Sequence, residues 1–180
     1  MVDRRMQLSE ALAQIRAIPD FPSPGILFQD ITPVLANPEA LKVVINALSQ
    51  CDGDAEIVAG VEARGFILGS ALAMHRSSGF VPIRKKGKLP GEVFSQPYGL
   101  EYGNDVVEIH RDAFPRAQSV VLVDDVLATG GTLEASLRLI QQAGGVISSI
   151  VVLLEIQALG GRAKIAHSFP DIPIHALVST

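Results

Sequence analysis

Val120-Val121-Leu122-Val123-Asp124-Asp125-Val126-Leu127-Ala128-Thr129-Gly130-Gly131-Thr132 runs from an apolar stretch into two carboxylates, then into small residues. From Thr132 to Ala143 the apolar positions recur at helical spacing. An apolar run without alternation suits a strand covered on both faces of a parallel sheet. Strand, loop and helix in that order make part of a right-handed βαβ unit. In open α/β sheets, ligands bind beyond the carboxyl ends of the strands. Backbone N–H groups of a Gly-rich loop at a helix N-terminus form an anion site there. Thr129 and Thr132 can add hydroxyl donors. A phosphate alone does not explain Asp124 and Asp125. They suit a ligand that also offers vicinal hydroxyls, as a ribose does, or one that develops positive charge during reaction. The plainer reading, in which the two acids only cap the loop, leaves them at a buried strand end without partners, which is costly.

The same grammar extends outward. Glu56–Gly60, Gly79–Ile83 and Val146–Leu154 read as further buried strands, and Pro173–Leu177 as a last one. Gly65–His75 reads as a helix between strands. The expectation is an α/β fold with a mainly parallel five-stranded sheet flanked by helices, in a single domain over residues 1–180. Toward the N-terminus, Leu8, Leu12 and Ile15 fall at helical spacing, and Ile18-Pro19 ends that helix. Phe21-Pro22-Ser23-Pro24-Gly25 must be a turn or extended segment. Asn37-Pro38 reads as an N-cap followed by proline at the first helical position. Leu41, Val44, Ile45 and Leu48 form the apolar face of that second helix. Arg84 to Asn104 fits neither period and is rich in Gly, Pro and Lys; loops of that length in compact domains are usually functional or mobile.

The chain has 180 residues, a length that suits one domain with a full core. A hydrophobic content of 48% with 19% charged residues excludes a disordered chain. The net charge of −4 argues against non-specific DNA binding and against a polybasic membrane anchor. Apolar runs such as Ile150–Leu154 fall far short of the roughly 20 residues of a spanning helix. Met1 to Arg5 leads into mixed polar sequence, so no secretory leader is expected and the expected location is cytoplasmic. Cys51 is the only cysteine, which excludes an internal disulfide and a Cys-rich zinc site. His75, His110, His167 and His175 are scattered without ligand spacing and read as structural, so no metal ligand is assigned. No G-x-S-x-G elbow and no G-x-G-x-x-G turn occurs.

Two further elements favour anions. Gly60-Val61-Glu62-Ala63-Arg64-Gly65 is a second strand-to-helix junction. Phe66-Ile67 follows it in place of Lys-Ser/Thr, so it is not a P-loop. It offers backbone amides and Arg64, whose fork matches an anion, although an arginine near a helix start is often only a surface residue. Arg84-Lys85-Lys86-Gly87-Lys88 clusters basic residues where a buried strand ends, in an otherwise acidic protein. Alone it would read as a solvated loop. Three such elements on one sheet edge suggest a polyanionic small molecule with separate phosphate and pyrophosphate groups, rather than nucleic acid.

Val121 to Thr132 resembles the phosphoribosyl-diphosphate signature of the type I phosphoribosyltransferases. Its form, Val-Asp-Asp-Val-Leu-Ala-Thr-Gly-Gly-Thr, is similar to that of the adenine-using branch. Phe21 to Ile31, Arg64-Gly65-Phe66, Arg84 to Gly91 and Tyr98 to Gly103 agree with that branch, over about Leu8 to Arg162. The resemblance implies a small N-terminal hood within about residues 1–35 and a flexible lid at about 84–104. It implies magnesium-dependent transfer of phosphoribosyl from phosphoribosyl diphosphate to adenine, giving AMP and pyrophosphate, with magnesium bound mainly through the substrate. Ala128, Thr129, Gly130, Gly131 and Thr132 would hold the 5′-phosphate. Asp124 and Asp125 would bind the ribose hydroxyls and favour an oxocarbenium-like transition state. Arg64 and the Glu62–Ala63 turn, which carries a non-proline cis peptide in related enzymes, would hold pyrophosphate. Arg84, Lys85 and Lys88 would neutralise the leaving group, Glu101 would handle a purine proton, and Tyr102 would approach the phosphates. Leu27 and Gln29 match positions whose main chain reads adenine, with Phe28 packing nearby. Many relatives carry Arg where this chain has Gln29, so a side-chain role there is lost. A homodimer is likewise implied, with no nucleic acid or membrane partner.

Three other classes fit the sequence less well. A non-catalytic sensor of the same donor would need a DNA-binding segment, and the lid with Glu101 favours an enzyme. A transferase for xanthine, hypoxanthine or orotate is disfavoured by the Phe21–Ile31 hood. A phospho-acceptor domain would want its paired acids after the first strand and no phosphate loop.

Overall fold

The computed structural model describes residues 6–99 and 105–180. It comprises two compact units, 1–47 and 48–180. In the first, helix α1 (Leu8–Leu12) leads to strand β1 (Arg16–Ile18), which pairs antiparallel with β2 (Phe28–Asp30). The helix therefore ends earlier than Ile15 and Ile18-Pro19 suggest. Arg16 to Ile18 are taken into the ladder, where Arg16 faces Asp30 and binds its carboxylate at 2.6 Å. Asp30 also accepts from the Thr32 amide at 2.9 Å. The Thr32 hydroxyl and amide and the Arg16 guanidinium hold its pKa down at about 2. Phe21–Pro22 is a cis peptide, and the Phe21 ring meets Phe28 edge-on at 5.1 Å. Helix α2 (Thr32–Ala36) follows, and Asn37 Oδ1 then accepts from the Glu39 and Ala40 amides at 3.0 and 3.2 Å. That is the cap expected for helix α3 (Pro38–Ser49).

The second unit is built on one sheet. Its parallel strands are β3 (Ile57–Val61), β4 (Gly79–Lys85), β7 (Ser119–Leu127), β8 (Val146–Glu155) and β9 (Ile174–Ser179). These are the five that the sequence suggests. The sheet nevertheless has seven strands rather than five, in the order β5-β6-β4-β3-β7-β8-β9. The added pair, β5 (Val93–Tyr98) and β6 (Asp105–His110), is antiparallel, and β6 also runs antiparallel to β4. Two features hide the pair. Pro97 sits within β5, as proline does on an edge strand. Glu108 is buried in mid-β6, where it accepts from the Gly87 amide at 2.8 Å and the Ser95 hydroxyl at 3.1 Å.

Helix α4 (Arg64–Arg76) follows β3, and α5 (Gly131–Gln142) follows β7. After β8 a 3-10 turn (Gln157–Leu159) leads into α6 (Gly161–Ser168). Val120 to Val123 are fully buried, as a strand covered on both faces requires. Helix α4 approaches β3 closely because Gly60 and Gly69 leave space for the Phe80 ring; a Cβ on Gly60 would lie 2.6 Å from it. Among the described residues, no helix is long and apolar enough to cross a membrane.

Candidate active site

The β7–α5 junction places Asp124 and Asp125 on the carboxyl-terminal part of a central strand, both buried. The Asp125 amide donates to Asp124 Oδ1 at 2.8 Å. Gly130 caps α5 at φ 79°, a left-handed conformation that glycine adopts without penalty. Asp124, Val126 and Ala128 to Leu133 line a pocket of about 120 Å³. Its wall includes the start of α5, where free amides and the helix dipole favour an anion.

The β3–α4 junction interlocks with it. The Glu62–Ala63 peptide is cis, as the resemblance implies. Arg64 Nη2 lies 2.9 Å from Asp125 Oδ2. A Cβ on Gly65 would stand 2.8 Å from the Val123 carbonyl and 2.9 Å from Asp124 Oδ1, so only glycine lets α4 seat against the acids. Burial, and then the neighbouring Asp125 charge, push the Asp124 carboxyl well above its ordinary pKa. Burial raises Asp125 too, against the opposing pull of Arg64. A site that opposes two negative charges in this way favours any ligand that brings hydroxyl donors or positive charge to them.

The end of β4 supplies the cations. Arg84 Nε lies 3.2 Å from Glu62 Oε2, and the Lys85 amide donates to the same oxygen at 3.0 Å. The Arg84 Nη1 group donates to the Lys88 carbonyl at 3.0 Å. Burial pulls the Glu62 pKa up, but the Lys85 amide, Arg84 and the Lys88 charge outweigh it and hold it low. Glu62 thus ties the β4 turn to the cis-peptide junction, a role its place in the sequence does not disclose. Lys85 and Lys88 are exposed.

Behind the loop stands a wall built by residues distant in sequence. A Cβ on Gly161 would collide with the Ala128 carbonyl, and one on Gly130 would lie 2.8 Å from the Gly161 carbonyl. Arg162 secures the start of α6, with its guanidinium on the buried Glu155 carboxylate at 2.6–3.1 Å and on the Ile174 carbonyl at 2.8 Å. The Gly160-Gly161 pair before Arg162 was the available signal.

Arg64, Asp124, Asp125 and Ala128 to Thr132 therefore form one constellation, to which Glu62 joins Arg84. Leu27, Phe28 and Gln29 belong to the other unit; Phe28 and Gln29 lie on β2, and Leu27 is exposed. Glu101 and Tyr102 lie outside the described residues. Among the described residues, no three His, Cys, Asp or Glu side chains cluster as metal ligands.

The phosphoribosyl transferase domain family matches residues 30–172. The adenine phosphoribosyltransferase of Parvibaculum lavamentivorans is 52% identical over 153 residues, 84% of this chain and 87% of that protein. The crystal structure of adenine phosphoribosyltransferase from Thermoanaerobacter pseudethanolicus superposes with a TM-score of 0.88 at 45% identity, over 97% of this chain and 100% of that one. The Saccharomyces cerevisiae enzyme, solved with an imino-altritol bisphosphate and adenine, gives 0.86 at 36% identity, over 94% and 97%. Identity of this extent along nearly the whole chain leaves one conclusion: it belongs to the adenine phosphoribosyltransferase family.

Proposed function

We propose that the constellation around Asp124 and Asp125 carries out the reaction of this family. The 5-phosphoribosyl group passes from phosphoribosyl diphosphate to adenine, giving AMP and pyrophosphate in purine salvage. The carrying observation is the interlock of the two junctions. A buried pair of acids, one of which, Asp125, lies 2.9 Å from the Arg64 guanidinium, adjoins a glycine loop at a helix N-terminus. The yeast relative, solved with adenine, supports the choice of base.

In this reading the C1′–pyrophosphate bond breaks as the C1′–N9 bond forms. Ala128 to Thr132 hold the 5′-phosphate on backbone amides and the Thr129 and Thr132 hydroxyls. Asp124 and Asp125 accept from the ribose hydroxyls and stabilise positive charge as it develops on the ring. Arg64 and the Glu62–Ala63 turn face the pyrophosphate, and Arg84, Lys85 and Lys88 offset its charge as it leaves. The main chain of Leu27 and Gln29 reads the adenine edge, with Phe28 packing nearby. Glu101 handles the purine proton and Tyr102 approaches the phosphates. A magnesium ion would be carried in mainly by the donor, close to the Asp124 and Asp125 carboxylates. Bound in that way, the ion would supply charge neutralisation to the diphosphate.

The assay is AMP formation from adenine, phosphoribosyl diphosphate and magnesium, with hypoxanthine, guanine, xanthine and orotate as controls. Adenine should be strongly preferred; comparable turnover with another base, or none with adenine, rejects the reading. Glu101→Gln should lower kcat roughly 10²–10⁴-fold, the usual share of general acid–base catalysis. An unchanged single-turnover rate removes Glu101 from proton transfer.

The protein is further proposed to act as a cytoplasmic homodimer. Ile67 and Met74, one heptad apart on α4, are 46% and 81% exposed, which supports a covered face there. Sedimentation at micromolar concentration should give twice the chain mass of 19.1 kDa, and a monomer would reject the proposal.

A further inference from the structure

Lys164 lies on α6, in the part of the chain where the sequence shows no chemistry. Its ammonium stands 3.7 Å from the point that a Cβ on Gly131 would occupy. The Thr129 hydroxyl lies 4.0 Å from the same point, and a ring carbon of Tyr98 3.8 Å from it. Gly131 is the first residue of α5 and lines the pocket with Thr129 and Thr132. The ammonium is therefore at the rim of the cradle, beside the helix N-terminus. The anchoring of α6 keeps it there, through Arg162 on Glu155 and through Gly161 against Ala128 and Gly130.

The loop itself offers amides and hydroxyls but no full charge, whereas a phosphate monoester brings close to two negative charges. Elsewhere in the constellation Arg64 faces Asp125 and Arg84 faces Glu62. Lys164 is 3.5 Å from Glu134 Oε2. Glu134 does not depend on it, because Arg138 Nη2 and the Ser168 hydroxyl donate to Glu134 Oε1 at 2.8 and 2.9 Å. The Lys164 side chain is half exposed, so it can turn without a large rearrangement.

Building on the assignment of Ala128 to Thr132 as the 5′-phosphate cradle, we infer that Lys164 is a further donor-binding residue, whose ammonium moves from Glu134 to the 5′-phosphate when a phosphoribosyl compound enters. It acts on the phosphate that stays with the sugar and not on the pyrophosphate that leaves. Partial solvent exposure makes its effect modest.

The test is calorimetric titration of the full chain with ribose 5-phosphate and, separately, with magnesium pyrophosphate. Lys164→Met should weaken ribose 5-phosphate about 2- to 5-fold, leave pyrophosphate affinity unchanged, and flatten the salt dependence of the first ligand. Lys164→Arg should recover most of the loss. Equal weakening of both ligands would mean a general disturbance of the site and overturns the inference. Gly130→Val separates this inference from the reading beneath it. If Gly130→Val abolishes ribose 5-phosphate binding while Lys164→Met leaves it intact, the cradle stands and Lys164 has no part in it. If Gly130→Val binds as the wild type does, the cradle assignment fails, and the inference fails with it.

Discussion

Asp124 and Asp125 carry their charges where burial opposes them, and that opposition has a measurable sign. The Asp124 pKa is raised in the folded chain, so the native state binds more protons than the unfolded one between the ordinary carboxylate value and the raised one. Stability contributed by this group is thus present at low pH and lost as pH rises through that window. Asp124→Asn keeps an oxygen to accept the Asp125 amide and removes the buried charge. It is expected to raise Tm by roughly 2–5 °C at pH 8 with little change at pH 4, while AMP synthesis collapses. A melting series across pH checks it, and a destabilised variant at pH 8 would contradict it. At Gly130 any side chain meets both a left-handed backbone and the Gly161 carbonyl at 2.8 Å. Gly130→Val is expected to lower donor affinity by at least about 100-fold while the rest of the sheet folds. Fluorescence or calorimetric titration with phosphoribosyl diphosphate reads this directly. The paired acids and the glycine loop were legible from residue types alone, because a strand ending in two carboxylates has few structural uses. Glu62 and Lys164 were not. Their partners, Arg84 and the Gly131 region, are distant in sequence and meet only through sheet order and helix docking.

Among the elements, four of the five parallel strands announce themselves as short apolar runs rich in Val and Ile, and the last, near Pro173–Leu177, does so less distinctly. The β5–β6 pair does not, because Pro97 and the buried Glu108 break the apolar pattern and the hydrogen bonds that satisfy Glu108 come from Gly87 and Ser95. Helix α1 stops early for a related reason: Arg16 is drawn to Asp30 across a two-stranded ladder that local spacing cannot foresee. The Glu155–Arg162 clamp links β8 to α6 and so backs the loop through Gly161. Glu155→Ala strips Arg162 of its carboxylate. It is expected to destabilise the protein by about 1–3 kcal/mol and to raise the donor KM more than it lowers kcat. Urea denaturation with initial-rate kinetics measures both, and a variant with unchanged stability and KM would show that α6 holds its place without the clamp.

For the molecule as a whole, the proposed function stands or falls with the β7–α5 junction receiving the phosphoribosyl group. Crystallography of the full chain with AMP tests it most directly. The 5′-phosphate is expected on the amides of Thr129 to Thr132 and the ribose hydroxyls on the Asp124 and Asp125 carboxylates. AMP bound in another pocket, or with its phosphate on Arg84 and Lys88 and its ribose away from the two acids, would contradict it.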